Sequence, residues 1–182
     1  IEPHLKHTMK PFHTGLSAAF ALIGITLMTA CSTMSQYDIT VNEVTVYAPA
    51  SPLRVDGIED AALRNCLQQI AEDIGATQPS DIVSLNCSDA GITSLAGISQ
   101  FDQIRSLKLN DNTIRNLLEL ERLTGLKQLW LDNNDIIDAI PVLRMSGLRT
   151  LNLNSNPRLQ CPTSDKIRPT LQLILPNHCI AR

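Results

Sequence analysis

The sequence predicts an α/β solenoid, with short parallel strands stacked row on row and a helical cap at the N-terminal end of the stack. Three observations predict it. Apolar residues recur with a period of 22 from residue 82 onwards, the mark of a repeat architecture. A run with helical spacing, Leu63 to Ile74, stands directly before the first row. Four of the five cysteines, Cys66, Cys87, Cys161 and Cys179, fall at the two ends of the repeating block.

In chain order, the stretch from Met9, "MKPFHTGLSAAFALIGITLMTACSTMS", comes first. Lys10 precedes an apolar run from Gly15 to Met28, then small residues and Cys31, the anatomy of a secretory signal. The run is short for a membrane-spanning helix, which needs ~20 residues, and it lacks the polar face of a core helix. The sequence "LMTAC" resembles a bacterial lipobox, departing from it at Met28, where the pattern has leucine. That resemblance implies lipidation of Cys31, and Ser32 in place of aspartate implies sorting to the outer membrane. Two or more acyl chains anchor a protein stably where one does not. The expected organisation is residues 1–8 upstream of the start, 9–30 signal peptide and 31–53 lipidated terminus and tether. It continues as 54–81 N-terminal helical cap, 82–159 repeats and 160–182 C-terminal cap. The expected location is the cell envelope, held to the outer membrane by lipid and facing either the periplasm or the surface.

Residues 31–182 carry 13 lysines and arginines against 17 aspartates and glutamates, a net charge of −4. Nucleic-acid binders concentrate positive charge to release counterions, so no nucleic-acid partner is expected. Of the four histidines only His178 lies in this part. Export places the chain where disulfides persist.

After Cys31, "STMSQYDITVNEVTVYAPASPLRVDG" begins small and polar, as a tether would. Ile39, Val41, Val44 and Val46 are strand-like, which leaves an extra edge strand equally open. Then Leu63, Leu67, Ile70 and Ile74 fall at i, i+4, i+7 and i+11, one face of a helix, with Asp60 placed to cap its start and Gly75 its end.

The rows follow: "IVSLNCSDAGITSLAGISQFDQ" from Ile82, "IRSLKLNDNTIRNLLELERLTG" from Ile104, "LKQLWLDNNDIIDAIPVLRMSG" from Leu126 and "LRTLNLNSNPRLQCPTSDKIRP" from Leu148. Row positions 1, 4 and 6 are apolar throughout, with Cys87 at position 6 of the first row. Position 9 is Ala90, Asn112, Asn134 and Asn156. Position 11 is Ile92, Ile114 and Ile136, lost to Arg158 in the fourth row, and a truncated fifth row keeps Leu173 and Leu175.

Over residues 58–182 this pattern resembles the leucine-rich repeat family, in its 22-residue internalin-like bacterial class. The resemblance implies a right-handed superhelix with parallel strands on its concave face and a helical N-terminal cap. Elementary physics supports the same arrangement. A single row cannot bury its apolar face alone, and stacking at ~4.8 Å aligns equivalent leucines into columns. Asparagines at position 9 stack too, where their amides can pair with orphaned backbone groups of the turn. Asn112, Asn134 and Asn156 are therefore expected to be structural.

The ends of a solenoid expose an apolar cross-section and an open sheet edge, which natural repeats cover with caps. Cys66 lies on the apolar face of the cap helix and Cys87 at an inward strand position; Cys161 sits at position 14 of the fourth row and Cys179 follows the strand-like "LQLILP". Four cysteines allow three pairings, and proximity along the chain favours Cys66 with Cys87 and Cys161 with Cys179. Each closed loop is worth ~3 kcal/mol in the chain-entropy model. The spacings of 21 and 18 residues lack the paired Cys-x-x-Cys of a zinc site, so no metal is expected.

Enzymatic signals are scarce. Cysteine–histidine catalysis needs a free thiol, and His178 adjoins a cysteine assigned to a bridge. There is no glycine-rich phosphate loop and no nucleophile elbow, so neither catalysis nor a cofactor is expected. The run from Asp132 to Asp138, "DNNDIID", lacks the glycine and closing glutamate of a calcium loop. Asn86-Cys87-Ser88 matches a glycosylation acceptor in form but is out of place in a bacterial lipoprotein.

A binding role is better supported. The resemblance implies that positions 2, 3, 5, 7 and 8 face out from the concave sheet. That gathers Arg105, Lys127 and Arg149 at position 2, Lys108, Trp130 and Asn152 at position 5, and Asp132 at position 7. Tryptophan and arginine dominate binding hot spots. These seven residues form the expected face for a protein or glycan partner of a lipid-anchored binding module. The alternative is an envelope-assembly lipoprotein whose polar sheet face is merely solvated.

Overall fold

The computed structural model describes residues 39–41, 44–47 and 51–180. The expected signal peptide and Cys31 lie outside the described residues. The chain divides into two units, 1–50 and 51–182. In the first, β1 (Ile39–Val41) and β2 (Val44–Tyr47) pair antiparallel, with Val41 opposite Val44 and Thr40 opposite Thr45. The strand-like alternation of this segment thus resolves into a two-stranded sheet of its own.

In the second unit, the segment from Leu53 to Ile58 straps the cap. Leu53, Val55 and Ile58 are buried, and the Leu53 N–H donates to the Ala76 carbonyl at 2.9 Å. Helix α1 (Ala61–Ile74) starts where the Asp60 carboxylate accepts from the Leu63 N–H at 3.0 Å. It ends at Gly75, whose φ of 65° is the left-handed conformation that glycine adopts without a Cβ penalty. Leu63, Leu67 and Ala71 are its buried residues. Ile74, expected on that face, is instead 55% exposed. A helical wheel fixes direction and not reach: Ile74 is the last helical residue, and beyond it Ala76 returns into the core.

Five short parallel strands follow at one per row: β3 (Ser84–Asn86), β4 (Ser106–Lys108), β5 (Gln128–Trp130), β6 (Thr150–Asn152) and β7 (Gln172–Ile174), paired in that order. The register places Leu85, Leu107, Leu129, Leu151 and Leu173 side by side, a step of one row per strand. Leu107, Leu129 and Leu151 are fully buried. The returns are single turns, 3-10 at Ile98–Gln100 and Leu118–Arg122 and the short helix α2 (Ile140–Leu143) in the third row. Each turns Ile98, Leu120 or Val142 into the core.

The asparagine column is structural, as expected. The Asn112 Oδ1 accepts from the N–H groups of Ile92 (2.8 Å) and Ala90 (3.2 Å), while its Nδ2 donates to the carbonyls of Cys87 and Leu109, both at 2.9 Å. Asn134 and Asn156, one and two rows on, repeat the bonds from the isoleucine N–H and to the two strand carbonyls. Each amide bridges its own row to the one before, a link that Ala90 in the first row has no preceding row to make. Position 8 has its own task. Asp89, Asp111, Asn133 and Ser155 all have φ between 53° and 60°, the left-handed region that short polar side chains tolerate best. In the fourth row the apolar slot slips by one, so Arg158 is exposed and Leu159 is buried.

Both ends are stapled as expected. Cys66 is bonded to Cys87, joining α1 to the first row, and Cys161 to Cys179, joining the fourth row to α3 (Asn177–Ile180). Asp60 adds a second link at the N-terminal end, because its Oδ2 accepts from the Thr93 N–H, the Thr93 hydroxyl and the Ser94 N–H at 2.8–3.0 Å.

Candidate binding face

Side chains alternate across a strand, so burial of Leu129 and Leu131 turns Trp130 outward between them. Trp130 is half-buried and not freely exposed, because Lys108 from the next strand covers it with its Nζ 5.2 Å from the ring centroid. That cation–π contact fixes the indole on the outer sheet face and uses the charge of Lys108 to do it.

The other expected face residues separate into two groups. On the side where the chain leaves the strands, polar residues bond to one another. Asn152 Nδ2 donates to Asp132 Oδ1 at 2.9 Å, Asn133 Nδ2 to Asp111 Oδ1 at 2.8 Å, and Asn110 Nδ2 to Asp111 Oδ2 at 3.0 Å. The amides of Asn133 and Asn110 hold the Asp111 carboxyl below the usual carboxylate range. Asp132 and Asn152, named as ligand-facing, are thus partly occupied with each other. On the side where the chain enters the strands lie Arg105, Lys127 and Arg149. Arg105 leans over Gly125, donating to its carbonyl at 3.4 Å, and a Cβ on Gly147 would lie 3.1 Å from the Lys127 Nζ.

Between the last three strands the sheet face carries a hollow of about 550 Å³, lined by Lys127, Gln128, Arg149, Thr150, Thr170 and Gln172. Gln128, Thr150, Thr170 and Gln172 were not singled out from the sequence. The available signal was weak: Gln128, Thr150 and Gln172 occupy outward position 3, where the row pattern demands only polarity.

Cys161, His178 and Cys179 place a potential ligand atom each within 4.8 Å of one another. The two sulfurs are bonded together, and the His178 Nε2 lies 3.0 Å from the Leu159 carbonyl. As arranged, the cluster is the C-terminal staple.

No protein-family model and no curated protein matches the chain. Solved structures do. Internalin C2 of Listeria monocytogenes is 24% identical with a TM-score of 0.52, the match covering 59% of this chain and 50% of that one. An internalin F of the same organism is 21% identical with a TM-score of 0.48, covering 69% and 46%. The functional domain of InlJ, also from Listeria monocytogenes and described as including a cysteine ladder, is 18% identical with a TM-score of 0.31, covering 50% and 29%. The chain therefore spans about half the length, or less, of the internalins it matches. Together with the five-stranded parallel sheet and the two staples, the likeness to internalin C2 establishes the fold as a leucine-rich-repeat solenoid with disulfide-stapled ends.

Proposed function

We propose that this chain is a binding module of the bacterial cell envelope, anchored through lipid on Cys31, that recognises a protein partner through the sheet face centred on Trp130. One observation carries the binding role. The sole tryptophan of the chain stands in the middle strand of the sheet, pointing away from the core, and is held there by Lys108. A large amphipathic ring so placed loses little entropy when it is covered, which is why such residues recur as binding anchors. A protein partner is preferred to a glycan because the face carries one aromatic anchor between rims of opposite charge, a pattern suited to a surface of mixed sign. Anchoring rests on "LMTAC" and Ser32.

The test is cross-linking from intact cells with the full chain, comparing the parent with Trp130→Ala. Loss of a specific cross-linked partner in the variant is the expected result. An unchanged partner would overturn the Trp130-centred face. The polar network of Asp132, Asn152, Asp111 and Asn133 favours the alternative, a structural lipoprotein whose face is only solvated; in that case Trp130→Ala leaves both cross-linking and envelope integrity intact. For the anchor, Cys31→Ser is expected to release the protein from the membrane fraction or stall it as a precursor. Unchanged fractionation would refute lipidation.

A further inference from the structure

The two rims of the sheet face carry opposite charge, although the chain as a whole is acidic. Arg105, Lys127 and Arg149 line the rim where the chain enters the strands, while Asp89, Asp111 and Asp132 line the other. Five residues of extended chain separate positions 2 and 7, roughly 16 Å at ~3.3 Å per residue. That is about twice the screening length at physiological salt, so each rim acts on its own surroundings.

The basic rim is also shaped. The 550 Å³ hollow and a second one of about 430 Å³ both include Lys127, Arg149 and Thr170 in their walls, and no acidic residue lines either. Among the described residues, Lys127 and Arg149 take part in no ion pair; the cations that do are Arg115, Arg158 and Lys166. Beside the second hollow a further cation lies partly buried. Arg168 donates to the carbonyls of Ser146, Met145 and Leu148 at 2.6–3.1 Å, meets no carboxylate, and keeps a buried Nε without a partner. Ser146 and Leu148 line that same hollow. Lys127 and Arg149, neither held by an acid, therefore stand beside the neutral polar groups of Gln128, Thr150, Thr170 and Gln172, an arrangement suited to carboxylates.

We propose that this groove binds an acidic segment of the protein partner, its carboxylates set between Lys127 and Arg149. The proposal rests on the protein-binding reading above and specifies the partner's chemistry. A long sulfated or phosphorylated polymer fits less well, because one that crosses the sheet meets the aspartates of the opposite rim.

The test uses the full chain in detergent and a fluorescently labelled peptide of alternating glutamate and glycine, read by anisotropy. Its glutamine–glycine counterpart and dextran sulfate serve as comparison ligands. Lys127→Gln with Arg149→Gln is expected to weaken glutamate-peptide binding tenfold or more. Arg115→Gln with Arg158→Gln, on another part of the surface, is expected to leave it within twofold, and the glutamine peptide is not expected to bind. Each single groove variant should give part of the loss, which keeps the test decisive if the double variant misfolds. Equal binding by the groove variants, or equal loss from Arg115→Gln with Arg158→Gln, would overturn the groove. So would tighter binding of dextran sulfate with the same dependence on Lys127 and Arg149, which would make it a general polyanion site. Because cross-linking of the cellular partner is read separately, this groove can fail while the Trp130 face stands.

Discussion

Lowering the pH from 7 to 2 should loosen the N-terminal cap through Asp60, and the size of the effect follows from its contacts. Burial alone raises the pKa of this carboxyl, but donors from Leu63, Thr93 and Ser94 outweigh that and bring it from 3.8 to about 2. In the unfolded chain it titrates near 3.9. A carboxyl with a depressed folded pKa contributes stability that is complete above the unfolded value and is lost as pH falls towards the folded one. The difference between 3.8 and about 2 corresponds to about 2.4 kcal/mol at 1.36 kcal/mol per pH unit, and solvent screening of this partly exposed group brings it to about 1–2 kcal/mol. The assay is chemical denaturation of the full chain at pH 7, 5, 4, 3 and 2, beside Asp60→Asn. The variant retains one acceptor for the Leu63 N–H but cannot accept all the remaining bonds, so it starts about 1–2 kcal/mol less stable at pH 7. Asp111 and Asp135, whose pKa values are also lowered, titrate in both proteins and cancel in the comparison. The parent should therefore converge on the variant between pH 5 and pH 2. Parallel stability curves for the two proteins over that range would refute the assignment of Asp60 as a link between α1 and the first row.

Three further outcomes are expected. Asn134→Ala leaves the Ile114 N–H and the Leu109 and Leu131 carbonyls short of partners and should cost about 2–4 kcal/mol in denaturant unfolding, whereas Ala90→Asn should gain nothing. Leu131→Ala should cost about 3–5 kcal/mol as a buried truncation, while Trp130→Ala should stay below about 1 kcal/mol; the reverse order would mean the strand register is off by one. Gly97→Ala should be among the most damaging single changes, above about 2 kcal/mol, since Gly97 has φ of 88° and an added Cβ would fall on the Gly57 carbonyl. A thermal midpoint unchanged in Gly97→Ala would refute that close approach.

The repeat was legible because stacking copies a local rule. A leucine that points inward in one row must do so in every row, so period, register and the structural role of Asn112, Asn134 and Asn156 all follow from spacing. The staples were legible for a related reason, since Cys66 and Cys87 already stood on facing apolar positions. What spacing could not convey was where a side chain ends up once its neighbours arrive. Ile74 has the right direction for the core but lies at the end of its helix, and Trp130 points outward yet is half covered by a lysine one row away. Position 8 reads from the sequence only as outward-facing, whereas at Asp89, Asp111, Asn133 and Ser155 it is a left-handed turn, a conformation that such short polar residues favour. The groove at Lys127 and Arg149 was hidden for a deeper reason. Its residues come from three rows, and row position 3 asks only for polarity, so sequence alone determined that the face is polar. Only the stacked strands decided which polar groups stand together without a counter-charge, because that depends on distances between rows that the order of residues along the chain does not contain.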